Sequence, residues 1–209
     1  MADYKMTRKG KIQYIWDYYK IQIIVTIMVL IGLVSFIHGQ ITKINYEFNL
    51  TIIGSSVDGD SIEKLKKTLT PIVIKNPTKK QSALVDIMSS GSLTGGNDDA
   101  SAQYLQKFIA ELSANVIDLL ILNKSDYDVF QKQGAFLRLD KLKGIDLSGI
   151  KIEELQGTTA KGFYGINLQD NKLLEKFRVN TENMILCIPA STKQGTKAVL
   201  AIKWILENK

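Results

Sequence analysis

Histidine and cysteine are almost absent from this chain of 209 residues, which holds one of each, His38 and Cys187, together with only three prolines. A lone cysteine forms no internal disulfide, and one cysteine with one histidine cannot assemble the Cys/His sets that hold zinc. Internal Ser-His-Asp triads away from position 38 fall on the same count. Neither a Walker sequence nor a G-x-G-x-x-G occurs, so the two common glycine-rich phosphate cradles are missing too. With 45% hydrophobic and 23% charged residues the chain is not collagen-like, low-complexity or wholly disordered. These absences argue against most enzymes and predict neither a metal nor a cofactor.

What the chain does have is one long apolar run. Its mean hydropathy is near zero, high for so many charges, because apolar residues are concentrated between Ile21 and Ile37. That stretch, IQIIVTIMVLIGLVSFI, carries no charge, and the uncharged run continues through Thr42. A helix of roughly twenty residues covers about 30 Å, the thickness of a bilayer's hydrocarbon core. Its Ile, Val, Leu and Phe residues outweigh the cost of Gln22, Thr26 and Ser35. Residues 1–20 carry Lys5, Arg8, Lys9, Lys11 and Lys20 against Asp3 and Asp17, whereas Lys43 and Glu47 are the charges that next follow the run. The positive side stays in the cytoplasm, which predicts an N-terminus inside and a C-terminal domain outside. Tyr14, Trp16, Tyr18 and Tyr19 suit the headgroup layer, and neither an A-x-A site nor a lipid-accepting cysteine follows the run. The expected organisation is a cytoplasmic segment (1–20), an uncleaved signal anchor in the cell membrane (21–42) and an extracytoplasmic domain (43–209). Of the formal net charge of +6, three charges precede the anchor, so nucleic acid is not an expected partner.

Beyond the anchor, Tyr46, Phe48, Leu50 and Ile52 alternate with other residues as a strand. Asp60 and Glu63 resemble a capping box, with Ile62, Leu65 and Leu69 on one face of a helix over 61–69. IVIKN, between Pro71 and Pro77, reads as a second strand, and LVDIMSS as a candidate third before the loop SGSLTGGN. Asn97, Asp98 and Asp99 open a helix with Leu105, Phe108, Ile109 and Leu112 at helical period. VIDLLIL (116–122) has the length and near-continuous apolarity of a central parallel strand, followed by a helix capped by Asn123 or Ser125 and stopped at Gly134. MILCI (184–188) is another buried strand, and Ala198, Ala201, Ile202 and Ile205 stripe a final helix. Strand-then-helix order predicts an α/β domain with a mostly parallel sheet.

Several local patterns have simpler explanations than a site. Gly59-Asp60-Ser61 resembles a hydrolase nucleophile motif, but it opens a helix and no histidine follows to act as base. Asp58 and Asp60 lack the further oxygens of a calcium loop. Gly91, Gly95 and Gly96 form a connector, and Cys187 in an apolar strand behaves as a small hydrophobe.

VIDLLILNKSDYDVFQKQGAFLRLDKL resembles a segment of the extracellular solute-binding proteins of bacterial ABC importers, in which an apolar strand leads into a helix, a glycine and a turn. KGFYGINLQDNKLL is similar to the family's strand near the hinge, and MILCIPASTKQGTKAVLAIKWILE to its late strand, loop and helix. The resemblance covers Ile44 to Lys209. It departs from the family where the segment at Tyr164 runs within about twenty residues into Met184, which leaves no room for a second lobe. It therefore implies a one-lobed, membrane-tethered relative. Ligands of open α/β sheets sit beyond the carboxyl ends of the strands, which gathers Gly54, Ser55, Ser56, Asn123, Lys124 and Ser125 along one edge as candidate ligand- or partner-binding residues. A single lobe encloses a small solute poorly. The expected function is accordingly that of an accessory single-pass membrane protein docking on a membrane complex, an ABC transporter permease above all. A membrane-tethered small-molecule receptor or sensor is the alternative.

Overall fold

Arg8–Thr42 form one continuous helix, α1, in the computed structural model, which describes residues 8–54, 56–89, 91–95, 99–145, 152–154 and 162–208, of which 8–15, 40–42 and 152–154 by backbone alone. Within α1, Trp16–Gly39 is long and apolar enough to cross a membrane, and none of it is buried against protein. Leu, Ile and Val there pack against no core, and Thr26 Oγ1 returns its proton to the Gln22 carbonyl at 2.8 Å, so the helix satisfies its own polar group. Trp16, Tyr18 and Tyr19 lie exposed at its start. The chain divides into two compact units, Met1–Lys43 and Ile44–Lys209.

The second unit is a mixed α/β domain. Among the described residues its strands and α-helices after α1 are β1 (Asn45–Ile53), α2 (Gly59–Val73), β2 (Gln81–Met88), α3 (Asp99–Ser113), β3 (Leu119–Asn123), α4 (Lys124–Lys132), β4 (Ile152–Glu154), β5 (Phe163–Asn167), α5 (Lys172–Lys176), β6 (Met184–Cys187) and α6 (Gly195–Glu207). The six strands among the described residues form one sheet in the order β2-β1-β3-β6-β5-β4. Period-2 alternation splits the core between its faces. Phe48, Leu50, Ile52, Leu119, Ile121 and Leu186 point to one face and pack with Leu65 and Leu69 of α2 and Ala201, Ile202 and Ile205 of α6. Ile53, Leu120, Leu122, Ile185 and Cys187 point to the other and pack with Phe108 of α3 and Tyr127 and Phe130 of α4. β3 is thus buried on both faces, as its continuous apolar sequence predicts.

Only half of the sheet is parallel. β1 runs parallel to β2 and β3, whereas β6 is antiparallel to β3 and to β5, and β4 to β5. The expected mostly parallel sheet is therefore corrected to a mixed one. A parallel return needs a crossover that carries the chain back along the sheet. Between β5 and β6 the chain returns through α5, a five-residue helix that does not run the length of a crossover, and β6 pairs antiparallel to β5.

The predicted strand IVIKN is also corrected. α2 continues through Pro71 to Val73, and Ile74 caps it by donating its N–H to the Thr70 carbonyl at 2.9 Å. Pro71 is on the exposed side of the last turn, where water can satisfy the carbonyl it frees, so the helix survives it. The N-cap is Asp58 rather than Asp60, with Oδ1 accepting from Ser61 N at 3.0 Å and Oδ2 from Ser61 Oγ at 2.9 Å. Those two Ser61 donors, backbone first, hold the Asp58 carboxyl below the ordinary range. On α3, Phe108 is fully buried and its ring lies 4.9 Å from that of Phe130, but Ile109 is half exposed, so the apolar face is narrower than its spacing suggests. α4 ends as predicted at Gly134, whose φ of +76° and N–H to the Gln131 carbonyl, with Ala135 N–H to the Phe130 carbonyl, form a Schellman turn.

Candidate functional site

The carboxyl ends of β1, β2 and β3 converge where the parallel half of the sheet stops. There Gly54 turns the chain at φ +89°, donating its N–H to the Met88 carbonyl at 3.1 Å. Ser56 is exposed beyond it, and Ser55 lies outside the described residues. Asn123 closes β3 and caps α4, its Oδ1 accepting from Asp126 N at 2.8 Å and from Ser125 Oγ at 2.7 Å. Lys124 directs its ammonium to Asp128 on the next turn at 2.9 Å. Asn123 and Ser125 are therefore committed to the start of α4.

The organising group at this edge is Asp126, which is not among the residues expected there from the sequence. Its side chain is fully buried and accepts from Leu93 N (2.8 Å), Thr94 N (3.0 Å), Ser92 Oγ (2.8 Å), Thr94 Oγ1 (2.6 Å) and Asn123 Nδ2 (2.9 Å). Asn123 Nδ2 also donates to the Gly91 carbonyl at 3.0 Å. Burial pushes the Asp126 carboxyl up, but the bonds from Thr94, Leu93 and Ser92 outweigh it and hold it below the ordinary carboxylate range. A charged acceptor with this many donors stays ionised at neutral pH. Residues 91–95 are thereby strapped across the N-terminus of α4, and Leu93 is carried into the core. The available signal was the spacing N-x-x-D, a capping pattern in which the carboxylate usually returns to its own helix start. Gly96, Asn97 and Asp98, which complete the connector, lie outside the described residues.

A second polar group occupies the opposite end of β1 and β3. Asp118, the one charge in VIDLLIL, is buried and accepts from Asn49 N at 2.9 Å and from Thr192 Oγ1 at 2.7 Å. Burial raises its carboxyl above the ordinary value despite those bonds. Nearby, Glu47 accepts from Lys197 Nζ at 3.0 Å and from Gln81 Nε2. The Lys197 bond is the main cause that holds the Glu47 carboxyl low. An open recess of about 380 Å³ is lined here by Tyr46, Asn49, Asn115, Asp118 and Gln194. The chemistry it presents is recognition by hydrogen bonds. Cys187 is no nucleophile in waiting, because complete burial pushes its thiol far up.

No protein-family model matches the chain, and no curated protein matches it. Among solved structures it is similar to an extracellular solute-binding protein family 1 from Alicyclobacillus acidocaldarius subsp. acidocaldarius DSM 446, at 19% identity and a TM-score of 0.34. The match covers 60% of this chain and 28% of that one, so the chain spans well under a third of its length. At that identity and score the likeness assigns neither a ligand nor a partner.

Proposed function

We propose that this chain is a non-catalytic accessory protein of the cell membrane, anchored by α1 with its N-terminus in the cytoplasm, whose outer domain docks on a membrane complex such as an ABC transporter permease. One observation carries the reading. At the sheet edge where a solute would bind, Asp126, Asn123, Ser92, Thr94 and Ser125 are bonded to one another. Groups already satisfied gain little from a small solute, whereas a rigid, preformed polar edge suits a protein partner. The exposed apolar length of α1 supports the anchor. The excess of basic residues before it supports the orientation.

Purification of the chain from membranes in mild detergent, followed by mass spectrometry, tests the docking reading. Stoichiometric enrichment of transporter subunits is the expected result, and recovery of the chain alone counts against it. The receptor alternative has its support in the recess beside Asp118. A melting shift with amino acids, sugars or short peptides would favour it, since a ligand at 100 times its Kd stabilises by about 2.7 kcal/mol.

A further inference from the structure

The amino ends of β1 and β2 carry a concentration of positive charge that neither polar site above uses. Between positions 60 and 82 the sequence places six lysines against two carboxylates, Asp60 and Glu63. Glu63 engages Lys66 at 3.1 Å and Lys67 at 3.9 Å. Lys75, Lys79 and Lys80, on the exposed turn from α2 into β2, pair with no carboxylate among the described residues. An open groove of about 440 Å³ runs beside them, and Lys66, Lys67, Lys79, Thr70, Thr78 and Ser82 line it. The hydroxyls of Thr70, Thr78 and Ser82 already donate to the Lys66 carbonyl, Gln81 Oε1 and the Ala83 carbonyl, so the lysine ammonium groups are the donors this patch offers to a phosphate ester.

The position of this patch along the chain is the second observation. Ile44 also lines the groove, and the Asn45 N–H donates to the Lys80 carbonyl at 2.7 Å. Ile44 follows Gly39, the end of the apolar stretch, by five residues, a tether of at most about 18 Å. Ile44 and Tyr46 are exposed large side chains at the same strand end, and a tyrosine ring with its polar tip favours the headgroup layer. We infer that the Lys75–Lys80 turn and its groove bind the phosphate headgroups of anionic phospholipids in the bilayer that holds α1, fixing the domain on the membrane surface. This rests on α1 being a membrane span. Each lysine near an anionic surface strengthens attraction about 5-fold, and the effect fades within a Debye length of about 8 Å at physiological salt.

The test uses the full chain reconstituted in nanodiscs of phosphatidylcholine alone or with phosphatidylglycerol, reading amine-labelling rates by mass spectrometry. Lys75, Lys79 and Lys80 should label about 5-fold more slowly in the anionic discs. Raised salt should abolish the difference, while Lys124, at the other end of the sheet, should label alike in both. The triple variant Lys75→Glu, Lys79→Glu, Lys80→Glu should leave Lys66 and Lys67 equally reactive in the two disc types. Equal rates at all these lysines in wild-type protein held in both discs would overturn the inference, as would protection that appears only when a partner protein or nucleic acid is added. A chain that associates with neither disc type would refute the span itself, a result separable from loss of the lipid contact.

Discussion

Replacing Asp126 by Ala should destabilise the domain more than any other change to a charged side chain described above. The substitution strips the acceptor from five donors, of which Leu93 N–H is buried beyond the reach of water. A buried hydrogen bond to a charged group is worth about 1.5–3 kcal/mol, and donors that water can reach lose a smaller part each. The sum is about 3–5 kcal/mol, against a typical domain stability of about 5–15 kcal/mol. For a domain of this size that lowers the melting temperature by about 10 °C. Asp126→Asn keeps the shape but sets an NH2 donor against other donors, so it should rescue little. Trp204, half-buried beside Phe177 at 6.5 Å between ring centroids, reports unfolding by fluorescence once Trp16 is replaced by Phe. The sign with pH follows from the lowered carboxyl. The folded state holds fewer protons than the unfolded one, whose carboxyl titrates near about 3.9. The stabilisation is therefore complete above that value and is lost as pH falls through the folded one, so the gap between wild type and Asp126→Ala should narrow on acidification. A melting temperature lowered no more than by Asp128→Ala, an exposed ion-pair control, would refute the role given to Asp126.

Phe108→Ala removes a fully buried ring from the α3 face and should cost about 3–5 kcal/mol in denaturant titrations; an unchanged midpoint would place that ring outside the core. Gly165→Ala would set a Cβ 2.5 Å from Ile185 Cγ2 and 2.9 Å from the Tyr127 ring, so it should destabilise by about 1–3 kcal/mol through overpacking, and a neutral result would show that β5 can shift away from β6. For topology, an impermeant thiol reagent applied to intact cells should label Lys143→Cys and spare Lys5→Cys. The buried native Cys187 needs no removal for that test, and labelling at position 5 alone would reverse the orientation.

What the sequence determined by itself is what depends on near neighbours. The apolar run that α1 presents, the double-sided burial of Leu119–Leu122, the Asn123 cap, the Gly134 stop and the Ala198, Ala201, Ile202, Ile205 stripe all follow from spacings of a few residues, and each stands in the structure. Helical and strand periods are written locally, so residues one turn or two positions apart suffice to read them. Strand direction is not written that way. VIDLLIL and MILCI look alike, yet β3 runs parallel to β1 while β6 runs against both of its neighbours, because direction depends on how the intervening chain returns. Pro71 reads as the border of the strand IVIKN and is instead a tolerated residue in the last turn of α2, since only the packed domain settles that its ring faces solvent. Asp126 is the sharpest case. Its donor Leu93 is 33 positions away, and nothing near either residue announces the pair. A buried carboxylate must be satisfied by whatever donors the fold brings to it, so its partners were decided only when the tertiary structure closed the loop onto α4.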